Sequence, residues 1–168
     1  MNKAIFITPL PAFYKVNLYN EVAKRKNISV WFLGNETNEN RASDFVSSEI
    51  NFNHCFINKG SFQMRNKLIS CFKLIKKLII QYPKEVIIGG WDTVEFWMVF
   101  LLLNRNKISL VLESSILESK TNGIKGFLKR MFLRKVSKVY ASGDNHIKLL
   151  QDLNYNGNIT KTKGVGLI

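Results

Sequence analysis

With 168 residues and 46% apolar side chains, the chain has the size and composition of one globular domain with a substantial core, and neither a disordered nor a fibrous character. Its formal charge of +13, from 25 Lys and Arg against 12 Asp and Glu, suits anionic partners such as nucleic acid, an anionic membrane or acidic ligands, and carries no information on fold. Two cysteines and two histidines make neither a disulfide framework nor a zinc site, so no metal is implied and a reducing cytoplasm is the expected compartment.

Residues 3–8 predict a first strand. Pro9 and Pro11 stop it, because proline lacks the N–H and turns its predecessor away from helix. A helix follows over about 14–24, with Leu18, Tyr19, Val22 and Ala23 as its inner stripe, and then a second strand over 28–33, closed by Gly34. Residues 35–53 are polar, with Arg41 and Phe45 as their notable side chains; a connection this long is either a functional loop or a solvated excursion. A short third strand is expected at 55–57.

The stretch 65–81 predicts a helix with Lys67, Ser70, Lys73, Lys77 and Gln81 on its polar steps. Leu68, Ile69, Cys71, Phe72, Leu74, Ile75, Leu78 and Ile79 fill the remaining arc, which is expected to face the core. A strand at 85–88, an apolar helix at 94–103 and a strand at 108–112 come next. That helix has ten residues with Glu95 inside it, well below the ~20 needed to span a bilayer. Residues 123–136 form a second amphipathic helix, with Ile124, Phe127, Leu128, Met131 and Phe132 on one face and Lys125, Lys129, Arg130, Arg134 and Lys135 on the other. A strand at 138–141, a short helix from Asp144 to about 153 and a last strand over 158–162 complete the chain. This alternation predicts an α/β fold: an open, mostly parallel sheet with helices on both faces.

No GxGxxG, GxxxxGK[ST] or GxSxG sequence occurs, so dinucleotide, P-loop and nucleophile-elbow chemistries lack their fingerprints. What stands out instead is 86–114, a strand–helix–strand unit in which each strand ends in an acid. Asp92 follows Gly89-Gly90-Trp91, and Glu113 precedes Ser114-Ser115. Open α/β sheets bind ligands outside the carboxyl edge of their strands, which places both acids on the working rim. An acid after a strand also serves simply to cap the next helix, and Asp92-Thr93 suits that role as well as the functional one. Trp91 is either a core residue or a face on which a sugar stacks, and His54 and His146 are most simply surface or helix-start residues.

Several blocks, in order, resemble bacterial family 4 glycosyltransferases. They are Thr8-Pro9-Leu10-Pro11 with Tyr14 and 17–23; Pro83 through Gly89-Gly90-Trp91-Asp92 with Trp97; and Leu112-Glu113-Ser114 with Glu118-Ser119-Lys120, the basic helix and 139–143. The resemblance implies that residues 1–168 are the N-terminal, acceptor-binding Rossmann-like half of a GT-B enzyme, whose C-terminal donor-binding half lies outside this chain. It implies a nucleotide sugar as co-substrate rather than a resident cofactor, and a lipid-linked or glycan acceptor in the synthesis of lipopolysaccharide, O-antigen or capsule. It gives Asp92 and Glu113 the role of orienting or deprotonating the acceptor hydroxyl, and makes Pro9, Pro11, Tyr14, Trp91, Ser114 and Glu118 the lining of the acceptor cleft. Unlike many relatives, the loop from Pro9 to Pro11 has no glycine for donor phosphates. The uncompensated charge on Lys125, Lys129, Arg130, Arg134 and Lys135 is expected to face an anionic membrane, placing the protein peripherally on the inner face of the cytoplasmic membrane. The rival expectation is a basic Rossmann-like module that binds nucleic acid, which the charge favours and the lack of a nucleic-acid motif opposes.

Overall fold

The computed structural model describes residues 4–36 and 49–163. They fall into two compact units, one ending at Lys84 and one beginning at Glu85. All seven strands are parallel to their ladder neighbours, as expected for an open, Rossmann-like α/β fold.

The first unit comprises β1 (Ala4–Thr8), α1 (Phe13–Ala23), β2 (Ile28–Phe32), β3 (Asn53–Phe56) and α2 (Lys67–Gln81). β2 lies between β1 and β3, and all five of its residues are buried, as a strand covered on both faces requires. Ile28, Val30 and Phe32 pack with Val16 and Tyr19 of α1 and with Phe52. On the opposite face the Lys77 ammonium of α2 lies over the Trp31 ring. Helices therefore cover both sides of this ladder.

β3 begins at Asn53, two residues earlier than its composition suggests, because the ladder decides: Asn53 pairs with Ser29 and accepts that hydroxyl's hydrogen bond at 2.8 Å. α2 starts at Lys67 rather than 65, since Asn66 caps it by accepting from the Ile69 N–H at 3.1 Å. It ends at Tyr82, in the left-handed conformation (φ 39°), just before Pro83. Arg41 and Phe45 lie outside the described residues.

The second unit comprises β4 (Glu85–Ile88), α3 (Val94–Leu102), β5 (Ile108–Leu112), α4 (Gly123–Arg134), β6 (Lys138–Ala141), α5 (Asp144–Asp152) and β7 (Asn158–Lys161), paired β4-β5-β6-β7. Phe132 of α4 is fully buried, stacked on Phe100 at 5.6 Å and edge-on to Trp97 at 5.0 Å. Such ring pairs contribute about 0.5–1.5 kcal/mol each beyond simple burial, and they lock α4 onto α3. Gly126 allows α4 to lie against its own preceding loop, because a Cβ there would meet the Thr121 carbonyl oxygen.

Two expectations about helix faces differ from the structure. Of the α2 arc, Cys71, Leu74 and Leu78 are buried, whereas Leu68, Ile69, Phe72 and Ile79 face solvent. In α4, Phe132 and Leu133 supply the buried contacts, while Ile124, Phe127 and Leu128 are exposed. Periodicity marks an apolar arc; it does not say how much of that arc the sheet covers.

Candidate functional site

β4 and β5 are parallel neighbours with Ile88 opposite Leu110, so the turns that follow them leave the same carboxyl edge. Adjacent strands run about 4.8 Å apart, so the two turns start side by side. The first carries Gly89 to Thr93 and the second begins at Glu113. Asp92 and Glu113 are both exposed.

Asp92 is not the helix cap that its position after a strand allows. The N-cap of α3 is Thr93, and no side chain makes a cap hydrogen bond there. The turn is tight enough that a Cβ on Gly90 would come within 2.7 Å of the Asp92 Oδ1, which ties the glycine to the carboxylate's position. Trp97 holds the turn from within α3 by donating its indole N–H to the Trp91 carbonyl oxygen at 2.9 Å. The half-buried Trp91 ring meets Phe132 edge-on, and the Lys129 ammonium sits 5.5 Å from its centroid.

The second turn is stitched to its surroundings by backbone bonds. The Ser115 carbonyl accepts from the N–H groups of Glu118 and Ser119, and the Ile116 N–H donates to the Asn145 carbonyl at 3.2 Å. Ser114 is half-buried and Glu118 exposed. Lys129 and Arg130 reach back from α4 to the carbonyl oxygens of Lys120 and Thr121, at 3.0 and 2.9 Å. Burial, helped by the neighbouring charge of Lys125, holds the Lys129 ammonium below the usual lysine pKa. Lys135 is half-buried with its ammonium over the Phe100 ring. Lys125 and Arg134 are exposed. Pro9, Pro11 and Tyr14 belong to the first unit and are half-buried; Pro9 and Pro11 follow β1, and Tyr14 lies in the first turn of α1.

The structure gives surroundings to residues that the sequence named without a site role. Glu95 is fully buried in the first turn of α3, where an acid suits the helix dipole. The hydroxyls of Thr8, at the end of β1, and Thr93 are buried without a hydrogen-bond partner among the described residues. A buried hydroxyl left without a partner costs about 1–3 kcal/mol. His146 lies in the first turn of α5 with Nε2 at 3.2 Å from the Glu113 carbonyl oxygen, so that nitrogen donates, while Nδ1 is buried with no hydrogen-bond partner among the described residues. Nothing in composition marks the threonines; His146 is marked only by its closeness to the Ser142-Gly143 turn. Among the described residues, no three His, Cys, Asp or Glu side chains come together to hold a metal ion.

No family model matches the sequence, and no curated protein matches it. Solved structures do. The UDP-GlcNAc 2-epimerase of Methanocaldococcus jannaschii is similar over 96% of this chain and 45% of its own, at 15% identity and a TM-score of 0.52. The UDP-N-acetylglucosamine 2-epimerase of Rickettsia bellii is similar over 97% and 45%, at 13% identity and a TM-score of 0.58. A further UDP-N-acetylglucosamine 2-epimerase is similar over 96% and 48%, at 11% identity and a TM-score of 0.59. This chain thus spans about half the length of the structures it matches. The likeness is one of fold: these epimerases share the GT-B-like fold with glycosyltransferases.

Proposed function

We propose that this chain is the acceptor-binding half of a nucleotide-sugar-dependent glycosyltransferase acting in bacterial surface glycan synthesis. The observation that carries the reading is the pair of exposed carboxylates, Asp92 and Glu113, leaving neighbouring parallel strands at the edge where α/β sheets bind ligands. An exposed carboxylate on that edge accepts a hydrogen bond from an acceptor hydroxyl and takes its proton as the hydroxyl oxygen bonds to the sugar's anomeric carbon, whose bond to the phosphate oxygen breaks to release the nucleotide. In the second unit Trp91 and Ser114 flank the acids and Glu118 follows in the same turn; the family resemblance alone adds Pro9, Pro11 and Tyr14 of the first unit as acceptor-binding residues. The nucleotide sugar is held mainly by a second domain. The fold neighbours support a nucleotide-sugar partner, since one M. jannaschii epimerase structure is a complex with UDP-GlcNAc and UDP. The acceptor is lipid-linked or a glycan, handled at the inner face of the cytoplasmic membrane.

The same neighbours favour a second reading, that the complete protein epimerises a nucleotide sugar at C2, with the rim acids moving the proton. One experiment separates the two. The complete protein carrying this chain is incubated with UDP-GlcNAc and other nucleotide sugars, with and without a lipid-linked acceptor. Release of nucleotide that requires the acceptor supports the transferase; acceptor-independent formation of the C2 epimer supports the second reading. Turnover in neither assay, with a folded protein, overturns both.

A further inference from the structure

We propose that His146 is a positioning residue for Glu113: its imidazole holds the backbone at the end of β5 and so sets where the Glu113 carboxylate stands. β5 and β6 are parallel neighbours with Leu112 opposite Ala141, so the turns that follow them leave the same edge side by side. Only Ser142 and Gly143 separate β6 from α5, which brings the first turn of α5 against the turn that carries Glu113. Two hydrogen bonds join them. His146 Nε2 lies 3.2 Å from the Glu113 carbonyl oxygen, and the Ile116 N–H donates to the Asn145 carbonyl oxygen at the same distance. α5 thus grips the turn on either side of Ser114 and Ser115.

The two grips differ in what residue choice controls. Asn145 contributes its backbone, which most other residues would supply as well, whereas the bond to Glu113 exists only through the His146 ring. A carbonyl oxygen only accepts, so Nε2 carries the proton. Nδ1 is buried with no hydrogen-bond partner among the described residues, near Gly143, where a Cβ would stand 3.8 Å from it. Among the described residues, the ring's one hydrogen bond is therefore the one to Glu113. The helix that carries it is fixed by Leu149 and Leu150, both fully buried, so the imidazole acts from a rigid base. The Glu113 side chain is exposed at the rim, and the backbone it springs from is what His146 holds. Rate is sensitive to such placement: an error of about 1 Å in a reacting group costs up to roughly 10²-fold.

The inference rests on the proton-transfer role proposed for Glu113, and two measurements keep its failure apart from the failure of that role. In this chain, His146→Ala and the shorter His146→Asn should each speed amide hydrogen exchange at Ile116 by roughly two- to tenfold, the worth of one net hydrogen bond, with the Leu110 amide in β5 unchanged. His146→Gln, whose amide N–H reaches the place of Nε2, should restore the parent rate. In the complete protein, His146→Ala should lower kcat by roughly tenfold and leave KM within about twofold, again with rescue by His146→Gln. In the Glu113→Gln background it should lower kcat no further. Unchanged exchange at Ile116 overturns the proposal, as does faster exchange with no change in kcat. So does a kcat loss that persists undiminished in the Glu113→Gln background, the result expected of a residue that only stabilises the fold. If instead Glu113→Gln leaves kcat at the parent value, the role of Glu113 fails and the positioning role falls with it.

Discussion

Trp97 reaches back across the first turn of α3 and donates its indole N–H to the carbonyl oxygen of Trp91 at 2.9 Å. One side chain in the aromatic core thereby fixes the backbone that presents Asp92. Phe132 touches both rings, so the turn is tied through the core to α4 as well.

Trp97→Phe keeps an aromatic ring against Phe132 but removes the donor, leaving the Trp91 carbonyl without that bond. The expected loss is about 1–3 kcal/mol, measured by chemical denaturation against the parent. A loss within ~0.5 kcal/mol, the usual size for an indifferent substitution, would show that the bond does not hold the turn.

Asp92→Asn and Glu113→Gln should separate chemistry from stability. Both acids are exposed, and Asp92 makes no cap, so each variant should melt as the parent does. If either carboxylate moves a proton in the complete enzyme, kcat should fall by roughly 10²–10⁴-fold. Steady-state kinetics beside thermal melts decide it: equal kcat for a variant removes that residue from the chemistry.

The rim was legible because its signal is local: short β-branched runs ending in Gly89-Gly90-Trp91-Asp92 and Glu113-Ser114 identify strand ends whatever packs around them. The same holds for the seven strands, which differ from expectation by two residues at β3 and by a residue or so elsewhere. What stayed hidden depends on residues distant in sequence. The engagement of Lys129 by the Trp91 ring, and of His146 by the Glu113 carbonyl, exists only once segments that follow different strands meet. The exposed halves of α2 and α4 were hidden for a different reason: hydrophobic spacing records which residues share a face, and the sheet's width decides which of them it buries.

Asn58 is a buried connector in the first unit. Its side-chain amide donates to the Leu33 carbonyl oxygen and to the Ser70 hydroxyl, each at 2.8 Å, joining the end of β2 to α2. Asn58→Ala strands both partners and should cost about 2–3 kcal/mol, whereas Ser70→Ala leaves the bond to Leu33 and should cost about 1 kcal/mol. Urea unfolding of the two variants and the double mutant tests this; strict additivity would mean that Asn58 and Ser70 contribute nothing through their bond to one another.

Tyr155 gives the fold a dependence on alkaline pH. Its hydroxyl donates to the Val136 carbonyl oxygen at 3.3 Å, and burial pushes its pKa up to about 12 against a weaker opposing pull from the Arg105 charge. In the unfolded chain the phenol ionises near pH 10. The folded state holds the proton more tightly, so the stabilisation is fully present below about pH 10 and is lost as pH rises through about 12. Because the ring is only partly buried, solvent screening reduces the size of the effect but not its sign. Tyr155→Phe removes the titrating group and should flatten the difference in unfolding free energy between parent and variant across that interval. The phenolate absorbance titration of the native protein should therefore lose a component near pH 12 in the variant. A parent titration completed by about pH 11, or an unchanged high-pH component in Tyr155→Phe, would show that the phenol is solvated rather than held against Val136.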